Sequence, residues 1–153
     1  MKDKTIALVG RILYFLAWPA LYIYLKIGIR TRVIVSHNDR VLVVKNLIGD
    51  GKWSLPGGGV HKGEDSRVGA CRELLEETGI TIEPSQLEMI GQASANLSGL
   101  KFTYDQYFVE LRQKPEIKKQ ALELTGIAWV KLESLNPGNS QPDVIETLRA
   151  WKH

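Results

Sequence analysis

Glu73, Glu76 and Glu77 stand at i, i+3 and i+4 in the run Arg72-Glu73-Leu74-Leu75-Glu76-Glu77-Thr78-Gly79-Ile80. On a helix this spacing puts three carboxylates on one face. Like charges so placed repel by roughly a few tenths of a kcal/mol per exposed pair. Two of them also fall in the last turn, where the helix dipole disfavours negative charge. A fold gains nothing from this arrangement. A hard divalent cation would, because clustered carboxylate oxygens are the ligands that Mg²⁺ prefers. An isolated acidic triplet is more often a solvated helix end, so the neighbouring residues have to decide.

The helix that would carry the triplet runs from Asp65 to Thr78. Asp65 is suited to the N-cap, and Gly79 to the left-handed residue that stops the last turn. Val68, Cys71 and Leu75 follow the spacing of a buried stripe, with Leu74 at its edge. Upstream, Trp53-Ser54-Leu55-Pro56 reads as a short strand entering Gly57-Gly58-Gly59. Three glycines in a row cost conformational entropy. They fit a tight turn into the helix, and equally a close approach of backbone to a ligand or metal.

From Gly58 to Ile80 the chain resembles the signature of the Nudix hydrolase family. In that box a glycine is followed after five residues by Glu, and after seven more by Arg-Glu-aliphatic-x-Glu-Glu-x-Gly-aliphatic. Gly58, Glu64, Arg72, Glu73, Glu76, Glu77 and Gly79 fill the seven fixed positions, and Leu74 and Ile80 the aliphatic ones. Agreement by chance at one starting point is on the order of 10⁻⁹ from average residue usage.

The resemblance implies an α+β fold: the Nudix α/β/α sandwich with a mixed sheet and a signature loop-helix-loop. It implies Mg²⁺- or Mn²⁺-dependent cleavage within the diphosphate of a nucleoside diphosphate linked to another group. Glu73, Glu76 and Glu77, with the Gly58 carbonyl, would be the metal ligands. The candidate catalytic residues are Glu73, Glu76, Arg72 and Glu123; Glu73 is the candidate to activate water, although the base of this family varies. Arg72 is expected to orient the glutamates, and Glu64 to stabilise the loop. Some Nudix domains bind nucleotides without cutting them, but the complete set of helical glutamates argues against a dead site. Subfamily markers for ADP-ribose (a proline) and for dinucleoside polyphosphates (a tyrosine) are missing around Ala95 to Ser98. A nucleoside triphosphate or related nucleotide is therefore the first expectation, a nucleotide sugar such as ADP-ribose the second, and a lipid-linked diphosphate a third. Dimerisation is common in the family.

The rest of the chain must position that box. Arg32–Val35 and Val41–Lys45 read as a hairpin about a polar turn, Ser36 to Arg40, in which His37 faces solvent. Thr81–Glu83 reads as a short strand, and Leu87–Ala93 and Lys101–Leu111 as a second hairpin joined through Asn96 to Gly99. Residues 123–130 give another strand, Leu132–Leu135 a helical turn, and Pro142 opens a closing helix with Val144, Leu148 and Trp151 on one face.

At 153 residues the chain suits one domain with a substantial core. A single cysteine, Cys71, excludes an internal disulfide framework and fits a reducing, cytoplasmic setting. The net charge of +3 is unevenly placed: six basic residues against Asp3 alone give the first 32 residues +5, leaving −2 for the remainder. We expect a hydrophobic, amphipathic lead at residues 1–30, followed by the catalytic domain at 31–153. Ile12 to Leu25 is uncharged, Pro19 interrupts it, and Tyr14, Trp18 and Tyr22 recur every four residues. Three readings of residues 5–29 stay open: a helix on the inner face of a membrane, a helix packed on the domain or on a second copy, and a true span. A basic lead on a near-neutral body favours a membrane surface over nucleic acid, and no aromatic-basic motif supports a duplex partner.

Overall fold

The structure is a computed structural model and describes residues 29–47, 50–97, 100–118 and 124–151. Its first elements are β1, Arg30–His37, and β2, Arg40–Asn46. They turn on Asn38 and Asp39, with Asn38 at φ 54°, a left-handed conformation that Asn tolerates. This turn is tighter than the Ser36–Arg40 turn read from the sequence. His37 accordingly belongs to the strand, is half-buried, and bonds the Leu111 carbonyl through Nδ1 at 2.8 Å.

Helix α1, Ser66–Thr78, follows, then β3, Glu88–Leu97, β4, Leu100–Glu110, β5, Leu124–Lys131, and helix α2, Pro142–Trp151. Short 3₁₀ turns occupy Pro84–Gln86 and Leu132–Ser134. The sheet order is β3-β4-β1-β2-β5, parallel between β1 and β4 and antiparallel elsewhere. The mixed sheet of the expected fold is present. Residues 81–83 lie outside any strand, a correction to the reading above, although Ile82 is buried. Hydrophobic content brought it into the core without a ladder partner.

Alternation along the central strands divides the core in two. Val33, Val35, Leu42, Tyr107 and Val109 meet Ala70 and Leu74 of α1 on one face. On the other, Ile34, Val41, Val43 and Leu55 meet Val144 and Leu148 of α2. Helix, sheet and helix thus form three layers.

The buried face of α1 differs from the stripe read in the sequence. Gly69, Ala70, Leu74 and Thr78 are buried, Cys71 is half-buried, and Val68 and Leu75 are 45% and 42% exposed. The helix approaches the sheet on small side chains, which a pattern based on large apolar residues overlooks. Residues 5–28 of the expected lead lie outside the described residues. Among the described residues no helix is long and apolar enough to cross a membrane.

β1 and β2 pair at Ser36↔Val41 and His37↔Arg40, and nearer the N-terminal end of β1 another segment lies alongside them. Val33 N–H donates to the Pro56 carbonyl at 2.9 Å and Thr31 N–H to that of Gly58 at 2.8 Å. On the β2 side, Ser54 and Val44 exchange backbone bonds of 2.8 and 2.9 Å. The stretch Trp53–Gly59 therefore forms isolated bridges along two strands and delivers the glycine turn to the end of the sheet.

Candidate active site

The helix caps form as their residue types dictate. Asp65 accepts from the N–H groups of Arg67 and Val68, and Gly79, at φ 74°, donates to the Leu75 carbonyl. With both ends fixed, Glu73, Glu76 and Glu77 are held on the side of α1 that meets the glycine turn.

Arg72 organises the acidic residues. Its Nε donates to Glu64 Oε1 at 2.9 Å and its Nη2 to Glu64 Oε2 at 3.0 Å. Nη2 also donates to the Gly59 carbonyl at 2.8 Å. Nη1 donates to Glu73 Oε1 at 2.9 Å and to Glu76 Oε2 at 3.3 Å. The guanidinium thus joins the loop to the helix. The bond to Arg72 first, and that from the His61 N–H second, pull the Glu64 carboxyl down to about 2. The same pairing raises the pKa of Arg72 further above its ordinary value.

The glycine turn presses on the acidic face from the other side. Gly57 N–H donates to Glu77 Oε2 at 2.9 Å. A Cβ on Gly58 would overlap the Glu73 carboxylate, which would have to swing aside to make room. Gly57 has φ 134°, and a Cβ there would collide with the Thr31 carbonyl. The Gly58 carbonyl, the expected backbone ligand, accepts the Thr31 N–H. Glu123 lies outside the described residues.

Carboxylate and carbonyl oxygens, without sulfur or imidazole, are a donor set for a hard cation. Among the described residues no three His, Cys, Asp or Glu side chains converge as a ready cage. Glu73 and Glu76 each give one oxygen to Arg72, and Glu76 is 57% exposed, so its side chain can turn at little cost. In kind, as oxygen donors, the residues fit a divalent cation, although they do not stand as a preformed cage.

Gly57, Gly59, Thr31, Arg32 and Asp143 touch the site, or what holds it, and were not singled out from sequence for that part. Only Gly57 and Gly59 left a signal there, as members of the glycine triplet.

The curated Nudix hydrolase 2 of Arabidopsis thaliana is 36% identical over 107 residues, which cover 65% of this chain and 37% of that protein. The chain thus spans less than half the length of this relative. Among solved structures, a Caenorhabditis elegans Ap4A hydrolase binary complex matches with TM-score 0.69 at 19% identity, covering 82% of this chain and 96% of that one. The NUDIX domain of Shewanella oneidensis NrtR, complexed with ADP ribose, matches with TM-score 0.64 at 17% identity, covering 82% and 88%. At such identities these likenesses concern the fold alone. The family model of the NUDIX domain matches residues 27–151, a span that takes in the sheet, both helices and the Arg72-centred acidic loop, and the chain belongs to that family.

Proposed function

We propose that this chain is a Mg²⁺- or Mn²⁺-dependent hydrolase that cuts within the diphosphate of a nucleoside diphosphate linked to another moiety. A nucleoside triphosphate or related nucleotide is the first substrate class. The observation that carries this reading is the bracketing of Glu73, Glu76 and Glu77 between Arg72 and the bare glycine turn. Such crowding of negative charge has a use where a cation meets a polyphosphate.

A bound divalent ion would neutralise phosphate charge and lower the pKa of water. The chain's own residues have simpler tasks. Glu73, Glu76 and Glu77 would hold the ion, with the Gly58 carbonyl as a further oxygen ligand. Arg72 keeps Glu73 and Glu76 pointing along the helix face when they are not so engaged. Glu73, 17% exposed and against Gly58, would be the residue that takes a proton from water. Glu123 remains proposed as an additional acid or base from the segment before β5. Positioning and electrostatics supply most of the catalysis in phosphoryl chemistry.

A nucleotide-sugar substrate is the second reading. The NrtR domain complexed with ADP ribose, although only a fold-level likeness, favours it. The test is phosphate release, coupled to a phosphatase, over nucleotides, nucleotide sugars, dinucleoside polyphosphates and prenyl diphosphates. Turnover of one class with Mg²⁺ or Mn²⁺, abolished by EDTA, is expected. Full turnover in EDTA, or none anywhere with either metal, overturns the reading.

A peripheral membrane contact through residues 5–29 is a separate proposal, supported by the basic charge and aromatic spacing of that lead. Flotation with anionic liposomes tests it, and a chain that stays at the bottom of the gradient removes it. We further propose the division at residues 30 and 31, open to limited proteolysis, and a homodimer, open to light scattering.

A further inference from the structure

The glycine turn is gripped from a second direction, by residues outside the acidic box. Arg32 of β1 donates from Nε to Asp143 Oδ2 of α2 at 2.6 Å, and the two side chains are only 8% and 4% exposed. Arg32 Nη1 donates in addition to two main-chain carbonyls, those of Thr31 and Gly57, each at 3.1 Å. Gly57 is the residue whose N–H donates to Glu77. A continuous path of hydrogen bonds therefore runs Asp143–Arg32–Gly57–Glu77, from the closing helix through the central strand to the acidic helix. The entry to α2 is tied to the same stretch by main chain as well: Trp53 N–H donates to Asn139 and Gln141 N–H to Trp53, both at 2.9 Å.

A buried ion pair is a weak source of stability, since desolvation offsets most of the attraction, and apolar residues of similar volume would serve a core as well. An apolar pair could not direct a main-chain carbonyl. The guanidinium can, because its donors are fixed in a planar fork. We infer that Arg32 and Asp143 are positioning residues for the acidic site: they fix the Gly57 carbonyl, and with it the N–H that orients Glu77. Gly57 adopts a backbone conformation that few residues would hold unaided, so a bond on each side of it defines the turn. The catalytic consequence rests on the function proposed above, whereas the mechanical part does not.

The test uses the full chain. Arg32→Lys keeps the charge and loses the fork, and Asp143→Asn keeps the shape and loses the charge, so a failure of one to fold leaves the other. The first readout is amide hydrogen exchange at Gly57, compared with Ile34 and Val35 in the centre of the sheet. Faster exchange at Gly57 alone is expected, whereas equal protection in a folded variant overturns the inference. The second readout is Mn²⁺ affinity by electron paramagnetic resonance. A dissociation constant raised about 10-fold is expected, the usual scale for residues supporting metal ligands. In the double variant with Glu77→Gln the loss should be smaller than the product of the single losses, because Arg32 and Asp143 act on the ion through the carboxylate that Glu77→Gln has already removed. Independent, multiplying losses would overturn the inference. If the unaltered chain binds no Mn²⁺, the proposed function fails, and Gly57 exchange alone decides the positioning.

Discussion

Arg72 and Glu64 face each other through two parallel hydrogen bonds, Nε to Oε1 at 2.9 Å and Nη2 to Oε2 at 3.0 Å. This bidentate pairing couples the loop before α1 to its middle turn, and it is the most directional contact in the acidic site.

A pH dependence follows from the pairing. Glu64 is held at about 2 in the fold, against 4.5 for the free group. A depressed carboxyl pKa contributes stability that is fully present above the unfolded value and is lost as pH falls through the folded one. The contribution of Glu64 should thus fade between about pH 4.5 and 2. Glu64→Gln should be less stable than the unaltered chain at neutral pH, and the gap should close across that window. Urea unfolding followed by circular dichroism at several pH values measures it; a gap that does not vary with pH would mean that the pair acts without its charge.

The corrected face of α1 gives a second outcome. Leu74 is fully buried, and Leu75, next in sequence, is 42% exposed. Leu74→Ala should cost about 2–5 kcal/mol through lost burial and a residual cavity. Leu75→Ala should change stability by no more than about 0.5 kcal/mol, as is usual for surface positions. Chemical denaturation of the two variants checks the pair, and equal losses would restore the stripe read from sequence.

That stripe illustrates what sequence could and could not disclose. The ends of α1 were legible because capping is local: Asp65 and Gly79 act within a few residues of themselves. Most strands were legible from β-branched and aromatic runs, and the acidic face from simple spacing. The buried face of α1 was not, since Gly69, Ala70 and Thr78 carry little or no hydrophobic signal. The Thr78 hydroxyl satisfies itself on the Leu74 carbonyl at 2.6 Å, which lets a polar residue be buried. The tie between Arg32 and Asp143 spans 111 positions, and no pattern of neighbours points to it. Nor does any local rule say that Trp53–Gly59 would bridge to both β1 and β2.

The two glycines at the turn should separate stability from function. At Gly57, with φ 134°, a Cβ would run into the backbone of Thr31, which cannot move without disturbing β1. Gly57→Ala should therefore lose about 1–3 kcal/mol of stability, the scale of a residue forced into a disfavoured conformation. At Gly58 the Cβ would instead meet the end of the Glu73 side chain, which can swing aside. Gly58→Ala should stay folded with a smaller loss of stability, and lose Mn²⁺ affinity through a displaced Glu73. Thermal melts and metal titration of both variants measure this. A Gly58→Ala protein with unaltered Mn²⁺ binding would separate that glycine from the metal site.

Glu77 offers the cleanest removal of charge. Its Oε2 accepts from Gly57, and glutamine retains a carbonyl oxygen able to accept the same bond at nearly the same volume. In Glu77→Gln the turn should thus persist while one carboxylate charge is lost. If that charge helps to hold a cation against a diphosphate, kcat with Mg²⁺ should fall by about 10²-fold or more, the scale of electrostatic stabilisation in such sites. The melting temperature should change little, because a partly exposed helix end is altered and no core contact is removed. Steady-state turnover on the substrate found in the panel, with a thermal melt of the same preparation, checks both halves. Full turnover in a folded Glu77→Gln protein would remove the Glu77 charge from the metal site.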